Sequence, residues 1–184
     1  AAGINFADTL ARVGLYPEAP DPPCVMGYEV AGEIESVGEG VTGYKPGERV
    51  VAGTRFGGQA ELVSVPEGQV LPLADRLSYE QGAAIPVNYS TAYSGLVVMA
   101  GLKDGERVLI HAAAGGVGTA AVQIARMLGA EVFGTSSASK HDAIRELGVT
   151  HAIDYRTQDF EQEVIRITGG EGIDLAFDAQ GPKS

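Results

Sequence analysis

The chain has 184 residues, 24 acidic against 13 basic, giving a formal net charge of −11, with 45% hydrophobic residues and one cysteine. That length carries a sizeable core in one large or two small domains, and so negative a balance argues against a nucleic-acid footprint. No apolar run reaches the roughly 18 residues of a membrane span, no basic-plus-apolar leader opens the chain, and Cys24 has no partner for an intrachain disulfide, so a cytoplasmic location is the default expectation.

In chain order, AAGINFADTLARVGLYPEAP opens with small and apolar residues and then takes a short helical pattern around Phe6, Leu10 and Val13, closed by Gly14. Asn5, Asp8 and Tyr16 are its projecting polar groups, with Asp8 read as a cap of the short helix. From Met26 onward the text is glycine-punctuated β-structure: YEVAGEIESVGEGV, the turn GYKPGERVV, the continuation FGGQAELVSV and a last strand pair in PEGQVLPLA. These segments predict a small, irregular, mostly antiparallel domain over 1–76. The pattern changes at Leu77, where Ser78 and Gln81 stand at capping-box spacing and a helical period follows, with Pro86 placed to start or kink a helix.

The second domain, 77–184, is organised around RVLIHAAAGGVGTAAVQIARMLG, residues 107–129. Val108 to Ile110 form the continuous apolar run of a central parallel strand. Ala113, Gly115 and Gly118 fill the first, third and sixth places of a G-x-G-x-x-G turn, with alanine in the first. Such a turn brings backbone N–H groups to a pyrophosphate at Gly115, Gly116 and Val117, and its last glycine lets the new helix pack closely on the strand. Strands at EVFGTSS, HAIDY and IDLAFDA alternate with helices at KHDAIRELG and FEQEVIRITGG, which predicts a parallel sheet of order 3-2-1-4 with the ligand crevice beside the first strand.

The end of the second strand decides between cofactors. An NAD site places a carboxylate there to hold the adenosine ribose, whereas this chain has Gly134-Thr135-Ser136-Ser137 followed by Lys140. Small hydroxyl residues with a nearby cation suit a 2′-phosphate, so the expected cofactor is NADPH.

GINFAD, RVGLY, GYEVAGEIESVGEGV, KPGERVV and HAAAGGVG, taken together and in order, resemble the quinone oxidoreductase branch of the medium-chain dehydrogenase/reductases. VNYSTAY, GTSSASKH and GVTHAIDY look most like its VAT-1-like subgroup. The resemblance covers the whole chain and implies an α/β fold, a partial GroES-like domain followed by the first part of a Rossmann domain. The chain starts without Met and stops just past a strand, so it reads as a fragment of a parent that the resemblance makes a homodimer.

The zinc enzymes of the superfamily use Cys or His at three places where this chain has Asn5, Tyr28 and Val87, so no metal is expected. The resemblance puts Asn5 and Tyr16 at the nicotinamide pocket, near a substrate carbonyl, and Thr91 against the nicotinamide. It assigns Gly115, Gly116, Val117 and Gly118 to the pyrophosphate, Ser136 and Lys140 to the adenosine phosphate, and Tyr155 to the adenosine end. His111, His141 and His151 are read as structural or surface residues. The implied activity is zinc-independent hydride transfer from NADPH to a small quinone or α,β-unsaturated carbonyl. The alternative is an NADPH-binding structural or interaction protein without significant turnover.

Overall fold

The structure is a computed structural model and describes residues 1–179. It divides into two compact units, Ala1–Val87 and Asn88 onward. The composition changes at Leu77, but the first unit continues through Val87 because Ala83 joins its core with Ala31, Val51 and Leu73.

In the first unit, strands β1 (Glu29–Glu33), β2 (Arg49–Gly53) and β3 (Val70–Pro72) form an antiparallel sheet in that order. The opening residues run antiparallel to β1: Ala31 N–H donates to the Ala1 carbonyl at 2.9 Å and Gly3 N–H to the Glu29 carbonyl at 3.0 Å. Helix α1 (Phe6–Arg12) follows and gives way to Gly14 at φ +72°, a conformation glycine adopts without cost. Helix α2 (Tyr79–Ala83) starts on the predicted capping box, with Gln81 N–H donating to Ser78 Oγ at 3.2 Å and Ser78 N–H to Gln81 Oε1 at 3.0 Å. Gly82 lets α2 lie on the sheet, since a Cβ there would meet Leu73 at 2.9 Å and Val51 at 3.0 Å.

Two expectations for this unit fail. FGGQAELVSV is not a strand: its alternation leaves Leu62 69% exposed. Its glycine end instead bonds irregularly back onto residues 25–27, through Gly57 N–H to Val25 O, Gly58 N–H to Gly27 O and Gln59 N–H to Met26 O. PEGQVLPLA yields one strand, β3, preceded by a single 3₁₀ turn at Glu67–Gln69. A period of two promises a strand only where a partner edge exists.

The second unit holds β4 (Arg107–Ile110), β5 (Glu131–Ser136), β6 (His151–Asp154) and β7 (Leu175–Phe177), parallel and ordered β6-β5-β4-β7. This is the expected 3-2-1-4. Helix α3 (Pro86–Tyr93) begins at its proline and runs into a π-type turn, Ser94–Met99, before Leu102 returns to the core. Helices α4 (Gly116–Met127), α5 (His141–Leu147) and α6 (Phe160–Ile167) complete the unit.

Along β4 successive side chains face opposite ways. Val108 and Ile110 pack with Ala120, Ala121, Val122 and Ala125 of α4, whereas Leu109 packs with Phe133, Ile153 and Val164. Helix α4 ends at Gly129, φ +80°. The strand starts are tied by charge: Glu131 accepts from His151 Nε2 at 2.8 Å and Arg107 Nε at 3.1 Å, and Arg107 also reaches Glu171 at 2.6 Å. That network leaves the opposite, carboxyl ends of the strands for a ligand. Among the described residues no helix is long and apolar enough to cross a membrane.

Candidate functional site

The glycine turn after β4 is held by β5. Ala113 N–H donates to the Thr135 carbonyl at 2.9 Å, Ala112 N–H to Thr135 Oγ1 at 3.2 Å, and Gly115 N–H to the Ala112 carbonyl at 2.8 Å. Ala112 takes φ +49°, a left-handed position unusual for alanine and imposed by this bracing. The glycines have separate reasons. A Cβ on Gly118 would collide with the Ala112 carbonyl, and one on Gly116 would stand 2.6 Å from Asn88 Oδ1. Gly118 is buried at the helix–strand contact, while Gly115 and Gly116 are exposed at the start of α4. The first-turn N–H groups of α4 have no partner inside the helix and are available to an anion.

Beside this turn lies a cavity of about 600 Å³, of the size that holds small ligands. Of the sequence-derived site residues, Gly115, Ser136, Lys140 and Tyr155 line it. Ser136 is 4% exposed and donates to the Ser137 carbonyl at 3.2 Å, so its hydroxyl is already engaged. Ser137, also in the lining, is the more open of the two serines. Lys140 is exposed, and its side chain makes no hydrogen bond or ion pair among the described residues. Tyr155 is 59% exposed, with the Arg156 guanidinium 5.8 Å from its ring centre.

The carboxylate of this region, Asp154, sits at the end of β6 and is engaged elsewhere. It accepts from Arg156 N–H at 3.1 Å and Thr157 Oγ1 at 3.0 Å, bonds that hold its carboxyl below the ordinary aspartate range.

Two further lining residues, His111 and Phe160, carry no ligand signal in the sequence. The His111 ring stands edge-on to Phe160 at 4.8 Å and lies 3.3 Å, through Nδ1, from Thr135 Oγ1. His111 is thus a wall of the cavity, completed by a helix that starts about fifty residues later. Thr91 does not line this cavity. It belongs to a second, open concavity with Ser90, Ser94, Gly95 and Phe177.

In the first unit Asn5 and Tyr16 lie in two polar groupings. The Asn5 backbone N–H donates to Asp8 Oδ2 at 2.8 Å, and Asp8 Oδ1 accepts from Gly27 N–H at 3.0 Å. Asp8 is therefore the structural cap expected of it, and it is 3% exposed. The Asn5 side chain donates through Nδ2 to Glu29 Oε1 at 2.8 Å, while Glu29 Oε2 accepts from Val87 N–H at 2.8 Å.

Tyr16 packs edge-on to Tyr28 at 5.9 Å, and Tyr28 contacts Phe56 at 5.0 Å. The Tyr28 hydroxyl is buried and finds no hydrogen-bond partner among the described residues. Burial first, then the proximity of Tyr16, Asp8 and Glu18, pushes its pKa up to about 12, so it stays a neutral O–H donor. In the sequence Tyr28 stands out only for not being histidine, and Glu29 does not stand out. A glutamate at the buried start of a strand is the available signal.

Among the described residues no group of three or more His, Cys, Asp or Glu is arranged to hold a metal.

Comparison with known proteins agrees with this layout. The profile described as "Alcohol dehydrogenase GroES-like domain" matches residues 1–75, and that described as "Zinc-binding dehydrogenase" matches residues 116–184. The human synaptic vesicle membrane protein VAT-1 homolog is 47% identical over 182 residues, 98% of this chain and 46% of that protein. The Escherichia coli quinone oxidoreductase solved with NADPH superposes with a TM-score of 0.90 at 38% identity, over 99% of this chain and 56% of that one. The CurK enoyl reductase gives 0.91 at 36% identity, over 99% and 57%. The chain thus spans about half the length of the relatives it matches. With the two profiles falling in turn on the two units, the chain belongs to the medium-chain dehydrogenase/reductase superfamily, close to the VAT-1 homologs and the quinone oxidoreductases.

Proposed function

We propose that the parent protein is a zinc-independent, NADPH-dependent oxidoreductase that reduces a quinone or an α,β-unsaturated carbonyl compound. The observation that carries this reading is the cavity at the carboxyl ends of β4 and β5: a glycine turn at one side, Ser136, Ser137 and an unpaired Lys140 at the other, and no carboxylate at the end of β5 to receive a ribose diol. When bound there, the reduced nicotinamide supplies a hydride, and with one proton from solvent this reduces a quinone to the level of its hydroquinone or saturates an enone.

Everything else is asked of this chain. The N–H groups of Gly116, Val117 and Gly118 hold the pyrophosphate at the start of α4, and Gly115, whose own N–H is given to the Ala112 carbonyl, brings the backbone close to it. Lys140 and Ser137 take the 2′-phosphate above the buried Ser136, Tyr155 covers the adenosine end, and Thr91 orients the nicotinamide. Asn5 and Tyr16 donate hydrogen bonds to the substrate oxygen, where negative charge develops. A conjugated acceptor suits donors of this modest strength, because its incoming charge is delocalised.

The test is titration of the intact protein with NADPH and with NADH. The expected outcome is a preference for NADPH that Lys140→Ala reduces by about ten- to a hundredfold, the effect of one charge-assisted contact, while NADH binding is unchanged. Equal affinity for both carriers in the unaltered protein overturns the assignment. Oxidation of NADPH by 1,4-naphthoquinone and by a simple enone then separates an enzyme from a binding protein: binding without turnover of either favours a structural or interaction role.

A further inference from the structure

Glu29 is 1% exposed, on the first residue of β1, and no cationic side chain pairs with it among the described residues. Its carboxyl group sits under the opening residues of the chain. A Cβ on Gly3 would meet Glu29 Cγ at 2.5 Å and the Ala83 carbonyl at 2.7 Å, so the glycine is what allows residues 3–5 to pass directly over the acid. A buried carboxyl without a counter-charge is expensive, and an apolar side chain of the same size would fill the space more favourably. What the acid provides instead is a pair of acceptors with fixed directions. Oε2 takes Val87 N–H and Oε1 takes Asn5 Nδ2, each at 2.8 Å.

The consequence falls on Asn5. An asparagine amide can present either its oxygen or its nitrogen to a neighbour, and an acceptor-only neighbour admits just one choice. The backbone of Asn5 is held independently, by Asp8 Oδ2 on its N–H. With the backbone fixed by one buried acid and the amide plane by another, a single Nδ2–H is left to donate elsewhere.

We infer that Glu29 is the positioning residue for Asn5, holding its amide so that the remaining N–H is presented to the substrate oxygen. The inference rests on the role given to Asn5 under the proposed function.

The experiment is a double-mutant cycle on the intact protein, with NADPH and 1,4-naphthoquinone as probes and thermal melting recorded in parallel. Glu29→Gln keeps the shape but leaves one acceptor oxygen for two N–H donors. Its expected effect is a fall in kcat of about ten- to a hundredfold, the size of a small misplacement of a reacting group, with NADPH affinity unchanged. In an Asn5→Ala background the same substitution should lower kcat no further, although it still lowers the melting temperature. Should Glu29→Gln fail to fold, Glu29→Asp carries the same cycle, since it keeps both acceptor oxygens and withdraws them by one methylene. If Asn5→Ala alone leaves kcat intact, the role given to Asn5 falls. If Asn5→Ala lowers kcat but the Glu29 effect adds to it in full, or never occurs in a folded variant, Asn5 stands and Glu29 is merely structural.

Discussion

The two units solve opposite problems. The second buries a large apolar core, with Val108, Ile110, Ala120, Ala121, Val122, Val132 and Phe133 all at 0% exposure and Thr135, Ser136 and Asp154 as its buried polar residues, and sets Lys140 and Tyr155 exposed at the rim of its cavity. The first has a small core of Ala31, Val51, Leu73 and Ala83, and puts Asp8 and Glu29 inside. A regular sheet can position a site by backbone alone, because strand ends and helix starts recur at set places. An irregular antiparallel unit has no such frame, and here side-chain hydrogen bonds to buried acids supply it.

That contrast can be broken most forcefully at Gly118. Gly118→Val drives a side chain into the Ala112 carbonyl, and urea unfolding should register a loss of about 3 kcal/mol together with loss of NADPH binding. A near-neutral result would mean that the turn yields and the regular unit is not rigid.

Next in size is Asp8→Ala, which leaves the N–H groups of Asn5 and Gly27 without their acceptor. A loss of about 2 kcal/mol is expected, with faster hydrogen exchange confined to the first unit. Tyr28→Phe should go the other way. It removes a buried hydroxyl without a partner among the described residues, so stability should hold or rise by up to about 1 kcal/mol. In the unaltered protein this tyrosine should ionise near pH 12 by alkaline difference absorbance. Because burial sets its folded pKa above the unfolded one, the folded state holds the proton more tightly, so stability is unaffected below the unfolded value and falls as pH rises from there through the folded one.

The smallest effect belongs to Glu131, whose carboxyl is held below the usual range by His151 first and Arg107 next. Its folded pKa lies below its unfolded one, so its contribution is present above the unfolded value and disappears as pH falls through the folded one. Glu131→Gln should flatten the acid limb of the stability profile by less than about 1 kcal/mol, since the group is partly exposed.

Much of the second unit is legible in its sequence. The turn at Ala113, Gly115 and Gly118, the terminating Gly129 and Gly148, and the alternation of strand and helix are local signals that lead to the observed order β6-β5-β4-β7. Less is legible in the first. Alternation in FGGQAELVSV promises a strand that has no partner edge, and Asn5 meets Glu29 across 24 residues of sequence that carry no trace of the contact. His111 reads as a strand-end residue, and only the packing of α6 sets Phe160 against it.

By itself, then, the sequence determined the family, the parallel sheet, the glycine turn and the absence of a carboxylate at the end of the strand beside it, because each is written within a few consecutive residues whose spacing matches a backbone geometry. Only the tertiary structure decided that Ser136 is already engaged while Lys140 is unpaired, that Thr91 lies apart from the glycine-turn cavity, and that Glu29 holds Asn5. Those are facts about which side chains meet after the chain has folded back on itself, and hydrogen bonds between distant residues leave no periodicity to read.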